Sequence, residues 1–419
     1  MEEERTRALK IRLMRAISRS PVALRIAEEL LARRPSFSEQ GRLASRFGAD
    51  LVRRAYASEG GFVVWSNLFF PSEILLGMGL VPFYPEMASA FATVLDITPW
   101  SLPLAGQHGC PTDLCTVHRN LLGLDHGDLL PPVDALISTS SLCDMAGQAL
   151  ANIAYERDKP FIMVDVPEGT SETDVDYLEA QLRRVTEQLC QLAGVEMSAE
   201  RLREAIELSN QASDYMEEIN ELRKARPAPL RGSNMLNELA MITSGFGSEH
   251  AVRYYRTFRD YTRQLVAGGE TEQPDQRLRL YWMHLKCYCG NDLFHLLEDE
   301  LGVALVFEEY NTLWWERLDP ERPFRSLARK VLQHFNLGPI ERRAEQAIRR
   351  VQEYDADGVV HFGHWGCRQS TGALPVLRDR LRDEGIPFLQ IDGDIIDGAN
   401  LQWGQMKTRV EGFVEMLEG

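Results

Sequence analysis

"ALISTSSLCDMAGQAL" (135–150) reads as an apolar strand, a polar turn, a cysteine and then a helix. A second strand led by proline follows it, "PFIMVDVP" (160–167). The same order returns near the end of the chain in "GVVHFGHWGCRQSTGAL" (358–374), followed by "IPFLQID" (386–392). Cys143 and Cys367 hold the same place in the two stretches. "RLYWMHLKCYCGNDLFHLLEDELGVALVFEEY" (279–310) has the same logic, with Cys287 and Cys289 at the turn from strand to helix. Short apolar strands alternating with helices predict parallel sheets. In such sheets ligands bind outside the carboxyl ends of the strands, which is where these cysteines fall.

Working outward, a strand is expected at "GFVVWSN" (61–67). A helix opened by Pro71 should follow in "PSEILLGMG", with Ser72 and Glu73 in its first turn. Residues 1–57 are rich in Arg and Glu and carry helical periodicity. So do the long segments from about 172 to 265, and "GGETEQPDQ" (268–276) marks a boundary. The expected organisation is a helical N-terminal segment (1–57), a first α/β domain (58–170), a helical linking segment (171–276) and a second α/β domain (277–419).

At 419 residues the chain is long enough for two or three domains and needs no disulfide staples. It carries 46 Lys and Arg against 62 Asp and Glu, a net charge of −16, which argues against a general nucleic-acid binder. No apolar h-region follows the charged start, and the longest apolar stretch is broken by Pro71, Glu73 and Pro82. A cytoplasmic protein without a membrane span is therefore expected. Seven cysteines in a reducing compartment point away from a disulfide framework.

Cysteine is also a common core residue, and Cys190, inside a helical run, reads that way. The cysteines at strand-to-helix turns read differently, because a helix start stabilises the thiolate that binds metal. "GQHGCPTDLCTVHRN" (106–120) adds Cys110 and Cys115, flanked by His108 and His118. No C-x-x-C pair of a zinc ribbon is present, and dispersed thiols suit an iron–sulfur cluster better than zinc. His108, His118, His361 and His364 lie near cysteines in sequence and are either ordinary loop and core histidines or proton carriers. Glu73, in apolar surroundings, is either a first-turn glutamate on the helix dipole or a buried carboxyl suited to proton transfer. Asp392, Asp394 and Asp397 past a strand end read as turn formers. Neither a phosphate loop nor a G-x-G-x-x-G fingerprint occurs, so ATP or dinucleotide chemistry has to come from a partner.

The cues "NLFFPSEILLGMGLVPF", "CTVHRNLLGL", "ISTSSLCD" with "PFIMVDVP", and "DGVVHFGHWGCRQS…IPFLQIDGD…KTRVEGFVEML" run in order from about residue 60 to 418. Together they resemble the D-component family of 2-hydroxyacyl-CoA dehydratases. That family also holds subunits of ATP-dependent benzoyl-CoA reductases and double-cubane cluster proteins. The resemblance implies two flavodoxin-like parallel-sheet domains with helical additions, and a 4Fe–4S cluster between them held by Cys115, Cys143 and Cys367. It implies an acyl-CoA thioester substrate, a paired subunit in a homo- or heterodimer, and a separate ATP-dependent activase that injects one electron. The implied reaction is loss of the 2-hydroxyl from a ketyl radical, with Glu73 at the family's Pro-x-Glu position in proton transfer or substrate positioning. His108 and His364 are further candidates for proton transfer. Cys110, Cys287 and Cys289 exceed the three-ligand pattern. They are candidates for additional ligands, as in a double-cubane cluster, or for thiols beside the cluster. A reductase of the same scaffold and a non-catalytic electron-transfer subunit are the alternatives.

Overall fold

A computed structural model describes residues 2–18, 20–32, 39–57, 61–289 and 291–419. The chain forms two compact units. One comprises Met1–Ala212, Thr243–Thr257 and Trp315–Gln333; the other comprises Ser213–Ile242, Phe258–Trp314 and His334–Gly419.

The first unit is built on a parallel sheet of β1 (Val63–Ser66), β2 (Val81–Phe83), β3 (Ala135–Thr139) and β4 (Phe161–Val164), in the order β2-β1-β3-β4. The second holds β5 (Leu278–Met283), β6 (Val303–Glu308), β7 (Gly358–His364) and β8 (Phe388–Gly393), in the order β6-β5-β7-β8. All pairings are parallel, and both sheets follow the flavodoxin-like order, whose switch point lies between the first and third strands. β1, β3, β5, β6 and β7 are buried at every position, which explains their nearly continuous apolar runs. The edge strands β4 and β8 have residues outside the core. β2 contains Pro82, which breaks the strand signal in the sequence and is tolerated because β2 is an edge.

The repeat seen in the sequence is a repeat in hydrogen bonds. Asp134, just before β3, exchanges bonds with the start of β1: its carboxylate accepts from Val63 N (2.8 Å), and its N–H donates to Val63 O (2.9 Å). Asp357, just before β7, does the same with Arg279 of β5, at 2.7 Å in both directions. Leu136 N donates to Pro160 O and Val359 N to Pro387 O, both at 2.9 Å, so the two Pro-led strands enter in the same register. Each sheet has its own core. Val63, Trp65, Leu136, Leu150 and Ile153 belong to the first; Tyr281, Phe307, Val359, Leu377 and Leu381 belong to the second.

Helices cover the N-terminal segment at Glu2–Ser18, Pro21–Ala32 and Glu39–Ala57. The Glu172–Ala193 helix begins with a capping box between Ser171 and Asp174. Among the described residues no helix is long and apolar enough to cross a membrane.

Candidate active site

In the first unit the loops after β1, β2 and β3 meet at the carboxyl edge of the sheet. Asn67, one residue past β1, donates from Nδ2 to Thr139 Oγ1 (3.0 Å) at the end of β3, and its Oδ1 accepts from Thr139 N (3.3 Å). These bonds close the switch point. Pro71 then caps the short Ser72–Gly77 helix, where Glu73 has no exposed surface. Glu73 Oε1 accepts from Ser209 Oγ (2.7 Å) and from Lys330 Nζ (2.7 Å). The Lys330 ammonium lies 4.4 Å from the Trp315 ring centroid and 5.5 Å from that of Phe246. Ser72 Oγ donates to Phe246 O (2.9 Å). Gly247 stands at φ +85°, and a Cβ there would come within 3.1 Å of Glu73 Cγ, so the close approach requires glycine. Glu73 thus stands in the first turn of its helix and is at the same time a buried carboxylate matched to an ammonium.

Cys115 caps the Thr116–His126 helix and is buried; Cys143 caps the Asp144–Glu156 helix in extended conformation. His118, one turn past Cys115, brings Nε2 to 4.0 Å from Cys143 Sγ. Leu142, just before Cys143, sits at φ +68°, an uncommon conformation for a residue with a side chain. Cys110 is half-buried, and burial pushes its thiol up while Arg119 opposes this. His108 is exposed and stacks on His126, with centroids 3.7 Å apart.

In the second unit Cys287 and Cys289 follow β5. Their sulfurs are 3.8 Å apart, and each lies within 3.5 Å of the Asp394 carbonyl oxygen. The Cys289 thiol is raised first by its bond to Cys287 and then by burial. Cys367 caps the Arg368–Gly372 helix past β7. Burial raises its thiol, opposed by the N–H groups of Ser370 and Gln369 and by the charge of Arg343. His364 is buried with Nδ1 3.8 Å from Asp394 Oδ1, and burial lowers its pKa, which favours the neutral ring. Asp394 does form a turn, its Oδ1 accepting from Ile396 N and Asp397 N.

Sequence reading does not reach the buried polar network beneath these loops. Arg343, with no exposed side-chain surface, donates to both oxygens of Glu309 at 2.6 and 2.7 Å. Glu309 Oε2 also accepts from His284 N (2.9 Å), which holds His284 at φ +73°. His284 Nδ1 contacts Phe362 O at 3.0 Å, and Ser370 Oγ contacts His361 Nε2 at 3.2 Å. The network ties the Cys287–Cys289 loop to the start of the Cys367 helix. Lys330, Ser209, Tyr84 and Glu86 in the first unit were equally silent; an isolated Lys or Glu in a helical run carries no pattern.

None of the seven cysteines forms a disulfide. Among the described residues no group of three or more His, Cys, Asp and Glu side chains is gathered around one point as a metal site. The chemistry of the donors fits an iron–sulfur group all the same: Cys115, Cys143 and Cys367 are soft thiols on helix N-caps, without side-chain capping bonds.

A model of the 2-hydroxyglutaryl-CoA dehydratase D-component family matches residues 67–417. The chain is 24% identical to the (R)-phenyllactyl-CoA dehydratase alpha subunit of Clostridium sporogenes, over 85% of this chain and 90% of that one. It is 22% identical to the beta subunit from the same organism, over 61% and 68%. It is 23% identical to a benzoyl-CoA reductase subunit of Thauera aromatica, over 75% and 79%. The paired flavodoxin-like sheets and the cysteines at their carboxyl edges are therefore those of a member of the 2-hydroxyglutaryl-CoA dehydratase D-component family.

Proposed function

We propose that this chain is the iron–sulfur subunit of a cytoplasmic 2-hydroxyacyl-CoA dehydratase-like enzyme, removing water from an acyl-CoA thioester by way of a ketyl radical. The observation that carries the reading is the placement of Cys115, Cys143 and Cys367, each a helix N-cap at a strand-to-helix or loop-to-helix turn. These three thiols would hold a 4Fe–4S cluster. When bound, such a cluster supplies low-potential electrons and a Lewis-acidic iron.

The chain's own residues set the rest. Lys330 and Ser209 fix Glu73 through Oε1, while Oε2 is buried with no hydrogen-bond partner and can accept or give a proton. Neutral His364 stands ready to accept one. A separate ATP-hydrolysing activase supplies the electron, in keeping with the lack of a phosphate loop in this chain. A second subunit of the same family completes the assembly, as the alpha and beta names of the relatives suggest.

The Cys287–Cys289 pair favours a second reading, a reductase with a larger cluster that also uses these thiols and Cys110. Iron and acid-labile sulfide per chain, measured after anaerobic purification, test both. About four iron per chain supports the dehydratase reading and about eight the reductase. Cys143→Ser and Cys367→Ser should each lose most of the iron while Cys190→Ser keeps it; equal iron in all three would sink the ligand assignment. Glu73→Gln should keep the cluster and lose turnover.

A further inference from the structure

The Cys287–Cys289 loop has a chemistry open to it that needs no iron. Tyr288 alone separates the two cysteines, and their sulfurs stand 3.8 Å apart. Cys287 has no exposed surface, while Cys289 is half-buried and meets solvent. The loop is held on the turn that follows β8. Tyr288 N donates to Ile395 O (2.7 Å), and a Cβ on Gly398 would stand 3.9 Å from Cys289 Cβ. Each thiol donates to the carbonyl oxygen of Asp394, Cys287 at 3.5 Å and Cys289 at 3.4 Å. Two thiols in contact on a clamped loop, one of them reachable from outside, make a dithiol that can close on itself.

Asp394 connects that dithiol to the turn before Cys367. It is fully buried. Its Oδ2 accepts from Trp365 Nε1 (2.9 Å) and from Asn400 Nδ2 (3.2 Å), and its Oδ1 lies 3.8 Å from His364 Nδ1. Trp365 N donates to Gly393 O (3.1 Å), and Cys367 N donates to His364 O (2.8 Å). The backbone of one residue thus receives the thiols, while its side chain holds the segment that enters the Cys367 helix. A disulfide has no S–H to donate. Closing one takes two donors from a buried carbonyl, which is unfavourable. It also draws the sulfurs from 3.8 Å to about 2.05 Å.

We propose that Cys287 and Cys289 form a reversible disulfide, a thiol switch whose oxidation loosens the turn carrying Cys367. Transient, redox-sensing bonds are the usual form of disulfides in a reducing compartment. The co-reactant is a low-molecular-weight disulfide. The reachable Cys289, as thiolate, attacks one sulfur of that molecule, whose S–S bond breaks and releases one thiolate. The Cys287 thiolate then attacks the Cys289 sulfur, and the mixed disulfide breaks and releases the second thiolate. The protein dithiol loses two electrons, the small disulfide gains them, and the two thiol protons end on the released thiolates. The effect on a cluster rests on the reading of Cys367 as a ligand; the disulfide itself does not. A Cys287–Cys289 pair committed to iron would be closed to this reaction.

The test exposes the anaerobically purified full chain first to excess glutathione disulfide and then to excess glutathione, with acid quenching and alkylation after each. Cleavage after Lys286 and Arg317 puts both cysteines, and no others, on one peptide, 287–317. The oxidised protein should give that peptide unalkylated and about 2 Da lighter than the dithiol. Glutathione should return it to the doubly alkylated form. Cys287→Ser should trap Cys289 as the mixed disulfide with glutathione, and Cys289→Ser should leave Cys287 alkylated. Amide hydrogens of residues 364–368 should exchange about tenfold faster in the oxidised wild type than in the reduced. The same oxidant should leave that exchange unchanged in Cys289→Ser. A wild-type peptide that keeps both alkyl groups under glutathione disulfide overturns the switch. So does one that reacts only after its iron is chelated away, a result that would favour the larger cluster. A disulfide that forms while exchange at 364–368 stays the same overturns the link to Cys367. Turnover is read separately: a protein that dehydrates no 2-hydroxyacyl-CoA refutes the dehydratase reading and leaves both of these readouts in force.

Discussion

Glu86 gives a stability prediction that needs neither cluster nor substrate. Its carboxyl is raised from an ordinary 4.5 to about 7, first by burial, with its backbone hydrogen bonds opposing. Between those two values the folded chain keeps a proton that the unfolded chain has lost. The native state therefore binds more protons, and stability falls as pH rises through that window. At about 1.4 kcal/mol per pH unit, the interval comes to about 3 kcal/mol. Glu86→Gln removes this slope, because an amide is neutral throughout and its oxygen can still accept from Leu68 N. At about pH 5 variant and wild type should melt close together. At about pH 8 the variant should melt roughly 6–12 °C higher, at about 2–4 °C per kcal/mol for a unit of this size. Comparing the two proteins cancels every other titrating group. A melting difference that stays constant between the two conditions would mean that Glu86 ionises like an exposed carboxyl, and would refute the burial argument.

Lys330→Met keeps the side-chain stem on Trp315 but leaves Glu73 without its ammonium, and should cost about 3–5 kcal/mol in denaturant unfolding. Adding Glu73→Gln should restore most of that loss; a double variant as weak as the single would mean that packing, not charge, is what Lys330 supplies. Glu309→Gln strands the fully buried Arg343 and should cost about 3–5 kcal/mol by the same measurement. It should also loosen the Cys287–Cys289 loop, read as faster hydrogen exchange at His284 N, and unchanged exchange there would separate the ion pair from the loop.

The alternation of strands and helices was legible because central parallel strands are buried on both faces and must be apolar throughout. Cys143 and Cys367 could be matched because the two sheets share a local order of strand, turn and helix, and local order is what a sequence displays. β2 was hidden, since Pro82 looks like a strand breaker until its edge position is known. The paired Asp134 and Asp357 stood in plain view but had no meaning without their partners at Val63 and Arg279.

By itself, then, the sequence determined the fold class, the repeated strand-to-helix turns and the cysteines on them, because each depends on neighbours along the chain. The tertiary structure alone decided what charge each buried group meets. Glu73 is joined to Ser209 and Lys330, 136 and 257 residues away, because residues 315–333 pack into the first unit. Glu86 became a carboxyl that holds its proton toward neutrality only through burial, and Arg343 paired with Glu309 only through enclosure in the second unit. Desolvation and pairing are properties of three-dimensional surroundings, and no spacing along the chain encodes them.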